Sequence, residues 1–184
     1  MSGHDELSVT YAIDLGTVAG LQLSARPSAA AGALGLWALL SSGAVGLLHV
    51  PPRQAILGGL VATGLHYTSE LVHQFGHATA ARWMGYPMTG VQLWGVLSTS
   101  VYPADEPILP ARIHIGRALG GPAISLLLTG ATTAAFVTLS PKDRTARLVG
   151  QWLILDNLGT FTLGALMPLG FTDGSTLLYW WRRR

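Results

Sequence analysis

The chain has 184 residues, of which 49% are hydrophobic and only 11% are charged, whereas soluble domains average about 25% charged residues. This composition argues against an ordinary soluble domain and predicts a multi-pass membrane protein in contact with the lipid bilayer. The absence of cysteine excludes disulfides and cysteine–zinc sites, and the net charge of +2, with no basic run interleaved with aromatic residues, argues against a nucleic-acid partner.

Four apolar helices are predicted in chain order. Residues 1–27 have mixed composition and are expected to form an N-terminal surface segment. Residues 28–50 contain no charge and are long enough to cross a bilayer, which takes about 20 helical residues. A second helix is expected from about residue 54 to residue 84, a third over about 112–139 and a fourth over about 146–167.

Between the second and third helices, residues 88–103 are rich in β-branched and aromatic residues and are flanked by turn formers. This pattern predicts a short extended segment or hairpin at the membrane edge. Residues 179–184 end in three arginines and form a basic C-terminal tail. The predicted fold class is therefore an all-α membrane protein with four transmembrane helices and one short extended segment.

The basic residues predict the orientation of the four helices, because cytoplasmic loops carry an excess of lysine and arginine. Seven basic residues fall on the side that holds both termini, and four fall on the other side. The sequence therefore predicts a multi-pass protein of the cell membrane with both termini in the cytoplasm. The seven are Arg26, Arg82, Arg112, Arg117, Arg182, Arg183 and Arg184, and the four are Arg53, Lys142, Arg144 and Arg147.

The second helix carries the residues that are most informative about function, which are Glu70, His73, Gln74 and His77. Histidines four positions apart lie on one helix face, where they can share a metal ion. Zinc peptidases use the pattern His-Glu-x-x-His, in which the glutamate is the general base. Here that position is Gln74, which keeps the shape of glutamate and loses its ionisable carboxylate.

Ionisable residues inside a membrane helix are costly and therefore indicate function. At about 100° per residue, His66 and Glu70 share a stripe of about 60° with the two histidines. Both have a simpler interpretation, since they can pair with each other or with backbone groups inside the bundle. Asp156, in the fourth helix, can pair with Arg147 or His66, or orient a metal-bound histidine.

Two later segments extend the pattern. Residues 121–125 read Gly-Pro-Ala-Ile-Ser, and residues 167–174 read Met-Pro-Leu-Gly-Phe-Thr-Asp-Gly. With the histidine motif, they resemble the site-2 protease family of intramembrane zinc metalloproteases. That family has His-Glu-x-x-His on one core helix, often Gly-Pro-x-x-Asn on the middle one, and Asn-x-x-Pro-x-Pro-x-x-Asp-Gly on a later one. The resemblance covers residues 54–178 and implies a three-helix catalytic core, with residues 28–50 as an additional helix.

The resemblance implies a zinc ion held by His73, His77 and Asp173, because the aspartate of the family's Asp-Gly pair is its third zinc ligand. Two histidines and one carboxylate are the ligand set of a catalytic zinc with an open fourth position. The implied substrate or partner is a transmembrane protein segment, which would unwind and pair with residues 88–103 as an added strand.

The chain departs from the family pattern at four positions. Gln74 replaces the general base, Ser125 replaces an asparagine, and Gly170 replaces the second proline. Ala165 stands where the family has an asparagine that is thought to help hold substrate or the oxyanion, and Asn157, two turns upstream, is not an obvious replacement. The three implied ligands are intact, but losing a general base commonly slows catalysis by about 10²–10⁴-fold.

Three explanations of Gln74 stay open. It is an engineered change that traps an inactive enzyme, or the natural residue of an inactive relative that binds a membrane segment or partner, or Glu70 replaces it as the base. Glu70 lies about 6 Å away along the helix axis, so its use would need a water chain or a local helix distortion.

The sequence therefore predicts an intramembrane zinc metallopeptidase of the site-2 protease type that is inactive or impaired as written. The main alternative is a non-catalytic membrane scaffold or binding subunit that retains the fold. A metal-transport or metal-sensing protein that uses the histidine stripe is a third interpretation.

Overall fold

The structure is a computed structural model that describes residues 11–183. Residues 1–10 of the predicted surface segment and Arg184 of the predicted basic tail lie outside the described residues. A π-helical segment, Gly159–Gly164, continues the fourth helix. The elements in chain order are β1 (Ile13–Val18), β2 (Leu21–Ala25), α1 (Pro27–Gly46), α2 (Pro52–Trp83), β3 (Gly90–Trp94), β4 (Leu97–Val101), α3 (Ala111–Leu139), α4 (Arg144–Leu158) and α5 (Asp173–Trp181).

Two of the four predicted spans, α1 with 20 residues and α3 with 29, are long and apolar enough to cross a membrane by length and composition. The other two stay predictions. Helix α2 carries the histidines, Glu70 and several other polar residues, and α4 has only 15 residues before it widens into the π-helical segment.

The outer surfaces of these helices are apolar. Leu39 on α1 is 69% exposed, Leu127 on α3 is 68% exposed, and Leu57 and Val61 on the first half of α2 are more than half exposed. Exposed apolar surface of this extent indicates contact with lipid or another apolar partner. With the two apolar helices, it indicates a membrane protein.

The predicted all-α class is wrong for residues 13–25, which form a β-hairpin. Strands β1 and β2 are antiparallel, β2 and β3 are parallel, and β3 and β4 are antiparallel, which gives one sheet in the order β1-β2-β3-β4. The hairpin turns at Ala19 and Gly20, both with positive φ. The predicted extended segment over residues 88–103 is the β3–β4 hairpin of this sheet.

The sheet is held against the C-terminal half of α2. Leu21 and Leu23 of β2 are buried together with Val91 of β3, and they pack against Ala78 and Ala81 of α2. This packing explains why β2 forms, because burial of alternate leucines stabilises a strand only when a partner surface covers them. It also places β4 at one edge of the sheet, beside the histidines of α2.

The tip of the β3–β4 hairpin is fixed by helices α1 and α2. Tyr67 donates its hydroxyl hydrogen to the Gly95 carbonyl at 2.7 Å, and His66 Nε2 donates to the Val96 carbonyl at 2.7 Å. Ser28 of α1 accepts a hydrogen bond from the Gly95 amide at 3.3 Å. The hairpin tip is therefore anchored to both helices, and β4 is held at a defined distance from α2.

Candidate metal centre

The two histidines of the second helix meet the aspartate that follows the fourth. His73 Nε2 and His77 Nε2 lie 3.0 Å apart. Each lies 3.3 Å from an oxygen of the Asp173 carboxylate, His73 Nε2 from Oδ2 and His77 Nε2 from Oδ1. The ligand atoms of the three residues all lie within 4.8 Å of one another, and both histidines are buried.

Glycines on α2 and α3 leave the space that this arrangement needs. A Cβ atom on Gly121 would lie 2.3 Å from His77 Nε2 and 2.4 Å from His73 Nε2. Nearby, a Cβ on Gly76 would lie 2.3 Å from the Gly120 carbonyl oxygen. Because Gly121 of the Gly-Pro pair has no side chain, the two imidazoles can lie against the backbone of α3.

Hydrogen bonds orient both imidazoles with Nε2 toward the centre. His77 Nδ1 lies 2.8 Å from the Arg117 carbonyl oxygen, which can only accept, so Nδ1 carries the hydrogen and Nε2 presents its lone pair. His73 Nδ1 lies 3.0 Å from the Ser125 hydroxyl, which can accept in the same way. Such partners are typical of metal-binding histidines, since they fix the tautomer and the ring orientation.

Helix α5 brings Asp173 to the histidines, because this residue is its first. Gly174 follows, and a Cβ there would lie 2.1 Å from the Leu166 carbonyl oxygen, so only glycine lets the helix start this close to the preceding turn. Further along α5, Trp180 stacks on His114 of α3, with ring centroids 4.0 Å apart and planes within 2°. Contacts at both ends of α5 therefore determine how closely Asp173 approaches the two histidines.

The three side chains fit a zinc ion. Zinc–nitrogen distances of about 2.0–2.1 Å in a tetrahedral site place two ligand nitrogens about 3.3 Å apart, close to the separations here. The two Nε2 atoms and the Asp173 carboxylate face one another closely enough for a single cation to contact all three. The donor set and its geometry therefore suit a divalent metal with one open coordination position.

The centre opens into a cavity of about 680 Å³. Strand β4 and residues of the π-helical segment line it, together with residues between 169 and 176. Phe161 of the π-helical segment is buried and packs on the rings of His66 and His73, with centroids 5.1 and 5.9 Å away. Widened helical turns of this kind are often found at functional sites.

Gln74 and Glu70 both line this cavity and both accept hydrogen bonds from β4. Ser100 donates its hydroxyl hydrogen to Gln74 Oε1 at 2.7 Å, and Ser98 donates to Glu70 Oε1. Both acceptors are buried, at 5% and 3% exposure. The edge strand therefore positions the residue at the general-base position and the residue one turn before it.

An ion pair between Arg117 and Glu106 lies in the wall of the same cavity. The Arg117 guanidinium donates to both Glu106 oxygens, and it lies 4.0 Å from the centroid of the Tyr102 ring. The hydrogen bonds from Arg117 lower the pKa of Glu106, so this pair persists well below neutral pH. Arg117 is one of the basic residues that predict orientation, but its side chain is buried and ties the loop after β4 to α3.

His66 and Asp156 form a second buried pair behind the centre. His66 Nδ1 lies 2.9 Å from Asp156 Oδ2, and both side chains are almost fully buried. Of the partners predicted for Asp156, the structure places His66 within hydrogen-bonding distance. Since His66 Nε2 also holds the Val96 carbonyl, this pair links α2 and α4 to the tip of the β3–β4 hairpin.

The structure separates Asn157 from Ala165. Asn157 is fully buried and donates to Ser69 at 2.9 Å, whereas Ala165 lines the cavity. Asn157 thus does not take the place of the family's asparagine. The sequence pointed to the centre but missed the hydrogen-bonding roles of Ser98 and Ser100, for which the available signal was a run of three hydroxyl residues, 98–100, in a predicted extended segment.

Comparisons with known proteins bear on the fold. No family model and no curated protein sequence matches the chain. Among solved structures, the fold is similar to that of the site-2 protease from Methanocaldococcus jannaschii, with a TM-score of 0.59 and 15% sequence identity. The similarity covers 91% of this chain and 70% of that one. The chain has a site-2-protease-like fold. At this level of identity the similarity supports the predicted site-2-protease-like core, and it says nothing of activity, which is argued from the chemistry of the site.

Proposed function

We propose that this chain is an intramembrane zinc metallopeptidase of the site-2 protease type, impaired in cleavage as written because Gln74 occupies the position of the general base. The observation that carries the proposal is the convergence of His73, His77 and Asp173 in a cavity beside Gln74. A zinc ion bound there would polarise the scissile carbonyl and lower the pKa of a water molecule.

The residues around the centre support the same chemistry except at one step. The Gln74 carboxamide can orient a water molecule or a peptide through its N–H groups, but it cannot accept a proton near neutral pH. Glu70 has a carboxylate, but its oxygen is engaged by Ser98 and it lies one helical turn from Gln74. Position 74 therefore lacks the proton acceptor that cleavage needs, and Glu70 holds β4.

The alternative is a non-catalytic membrane scaffold or binding subunit that keeps the fold. Two observations favour it, since Gln74 lacks the carboxylate and Ala165 presents a methyl group to the cavity where the family has an amide. Neither change alters the three ligands, so both interpretations predict that the chain binds a metal ion.

The first expected result is one zinc ion per purified chain, measured by elemental analysis after zinc is supplied at neutral pH. Asp173→Asn and His73→Ala should lose it, because each removes a ligand from a three-residue set. His49→Ala is the matched control, since His49 is a histidine at the turn after α1, outside this ligand group. A chain that stays metal-free would remove this proposal.

We further propose that the substrate or partner is a transmembrane protein segment that pairs with β4. This strand ends the sheet and lines the cavity, so its outer edge carries backbone groups that a peptide in extended form can use. A hydrophobic peptide should slow hydrogen exchange at backbone amides of Ser98 or Ser100. An analogue with methylated backbone nitrogens should not, and equal protection by both would contradict strand pairing.

For location, we propose a multi-pass protein of the cell membrane with both termini in the cytoplasm. Because the chain has no cysteine, single-cysteine variants report unambiguously. Ile108, which is fully exposed in the loop before α3, and exposed Lys142, before α4, lie on opposite predicted sides. Lys142→Cys should react with a membrane-impermeant maleimide on intact cells, whereas Ile108→Cys should not, and the reverse pattern would invert the topology.

A further inference from the structure

A second cavity lies at the end of the bundle far from the metal centre. Helices α1, α2 and α4 enclose an apolar groove of about 460 Å³. On α2 its lining ends at Ala62, about 17 Å along the helix from His73. Its walls are mainly aliphatic, with Leu39, Leu47, Val50, Leu148, Val149 and Leu155 among the lining residues.

Glycines give the groove its shape. Gly43 of α1 and Gly58 of α2 both line it. A Cβ on Gly43 would meet nothing within 4 Å, so this position faces open space, whereas a Cβ on Gly58 would lie 2.9 Å from Thr145 Cγ2. The groove is therefore a gap between packed helices, with room for an occupant about as wide as an alkyl chain.

Four cationic residues lie next to one end of the groove in the sequence. Thr145 and Gln54, which hydrogen-bond at 3.4 Å, line its end, and the residues before them in the chain are Arg144 and Arg53. Arg144 also donates to the carbonyl of Leu48, another lining residue. Lys142, in the loop before α4, and Arg147, in its first turn, are exposed, and Arg147 donates to the Pro141 and Lys142 carbonyls at 3.4 Å.

One acid accompanies these four cations. Asp143 accepts a hydrogen bond from the Ala146 amide at 2.8 Å as the N-cap of α4, so its carboxylate is engaged by the helix. The groove end thus keeps a net positive charge beside an apolar slot. This combination is complementary to a molecule with a negative head and a hydrocarbon tail.

We propose that the groove binds an anionic phospholipid, with an acyl chain between α1, α2 and α4 and the phosphate at Arg144 and Arg147. The helices that form it include α1, which is one of two helices in the described part of the chain that are long and apolar enough to cross a bilayer, so lipid is the apolar partner at hand. A hydrophobic helix from another protein would fill the slot without using the cations. The proposal is independent of the metal centre.

The test is native mass spectrometry of the full chain, released from detergent with phosphatidylglycerol or phosphatidylcholine at equal concentration. The unmodified chain should retain phosphatidylglycerol preferentially. Arg144→Gln with Arg147→Gln should weaken this retention by roughly thirtyfold and leave phosphatidylcholine unchanged. The matched control is Arg82→Gln with Arg112→Gln, which removes the same charge at the other end of α2.

A second variant tests the slot itself. Gly43→Leu fills open space without a clash and should reduce retention of both lipids, and Gly35→Leu, on the same helix and also with nothing within 4 Å, should not. Equal retention of the two lipids by the unmodified chain would overturn the proposal. The proposal would also be overturned if both arginine double variants lost the same amount of phosphatidylglycerol, or if Gly43→Leu retained both lipids like the unmodified chain. A co-purifying hydrophobic helix that Gly43→Leu displaces would overturn it as well.

Discussion

Replacing Gln74 with glutamate is expected to raise cleavage of a reconstituted transmembrane peptide by about 10²–10⁴-fold, the usual contribution of a general base. The increase should disappear with a zinc chelator. The physical reason is that His73, His77 and Asp173 already converge, and position 74 faces the same cavity. At position 74, the side chain lacks the carboxylate that would accept the proton.

The environment of position 74 is suited to a carboxylate. Ser100 donates a hydrogen bond to Gln74 Oε1, and a glutamate of the same shape would keep this bond through one oxygen. Its second oxygen would replace the amide nitrogen and could accept a proton from water. A hydrogen bond to the charged form also favours that form, which offsets part of the cost of burial.

Controls separate the explanations of Gln74. Gln74→Ala should cleave the peptide as slowly as the unmodified chain, because neither glutamine nor alanine accepts a proton. Chelator-sensitive cleavage by the unmodified chain that Glu70→Gln removes would show that Glu70 is the base. Failure of both the unmodified chain and the Gln74→Glu variant, with zinc bound, would direct attention to Ala165 and favour the non-catalytic scaffold.

Replacing Gly121 with alanine is expected to reduce zinc affinity by about 10–100-fold or more, the range seen when the groups that orient metal ligands are lost. The added Cβ would lie 2.3 and 2.4 Å from the two Nε2 atoms, so both rings must move. Zinc content and a zinc titration monitored by calorimetry would measure the loss.

Helix stability does not explain such a loss, because alanine favours a helix interior by up to about 1 kcal/mol over glycine. Gly130→Ala is the matched control, since it lies in the same helix and its Cβ would meet nothing within 4 Å. It should bind zinc like the unmodified chain. Stoichiometric zinc with unchanged affinity in the Gly121→Ala variant would show that the Gly-Pro pair is not needed to accommodate the histidines.

Local patterns in the sequence predicted the helices and the histidine pair. A run of residues without charge specifies a long apolar helix by itself, and residues four apart share a helix face whatever surrounds them. For this reason the bounds of α1 to α3 and the start of α4 agree with prediction to within a few residues. The proximity of His73 and His77 follows from the same local rule.

The family resemblance, rather than any local pattern, placed Asp173 with the histidines. Nothing in its neighbouring residues states a distance to a side chain about 100 positions earlier. That distance depends on the approach of α5, which Gly174 and the stack of Trp180 on His114 determine. These are contacts between elements, and a single sequence does not reveal them.

The N-terminal hairpin and the roles of β4 were decided only by the tertiary structure. Leu21 and Leu23 alternate as in many loops, and they form a strand because α2 and β3 bury them. Ser98 and Ser100 become partners of Glu70 and Gln74 because the sheet places β4 beside α2. Local sequence thus determined which residues could serve a metal site, whereas long-range packing, which buries surface between distant segments, decided what surrounds it.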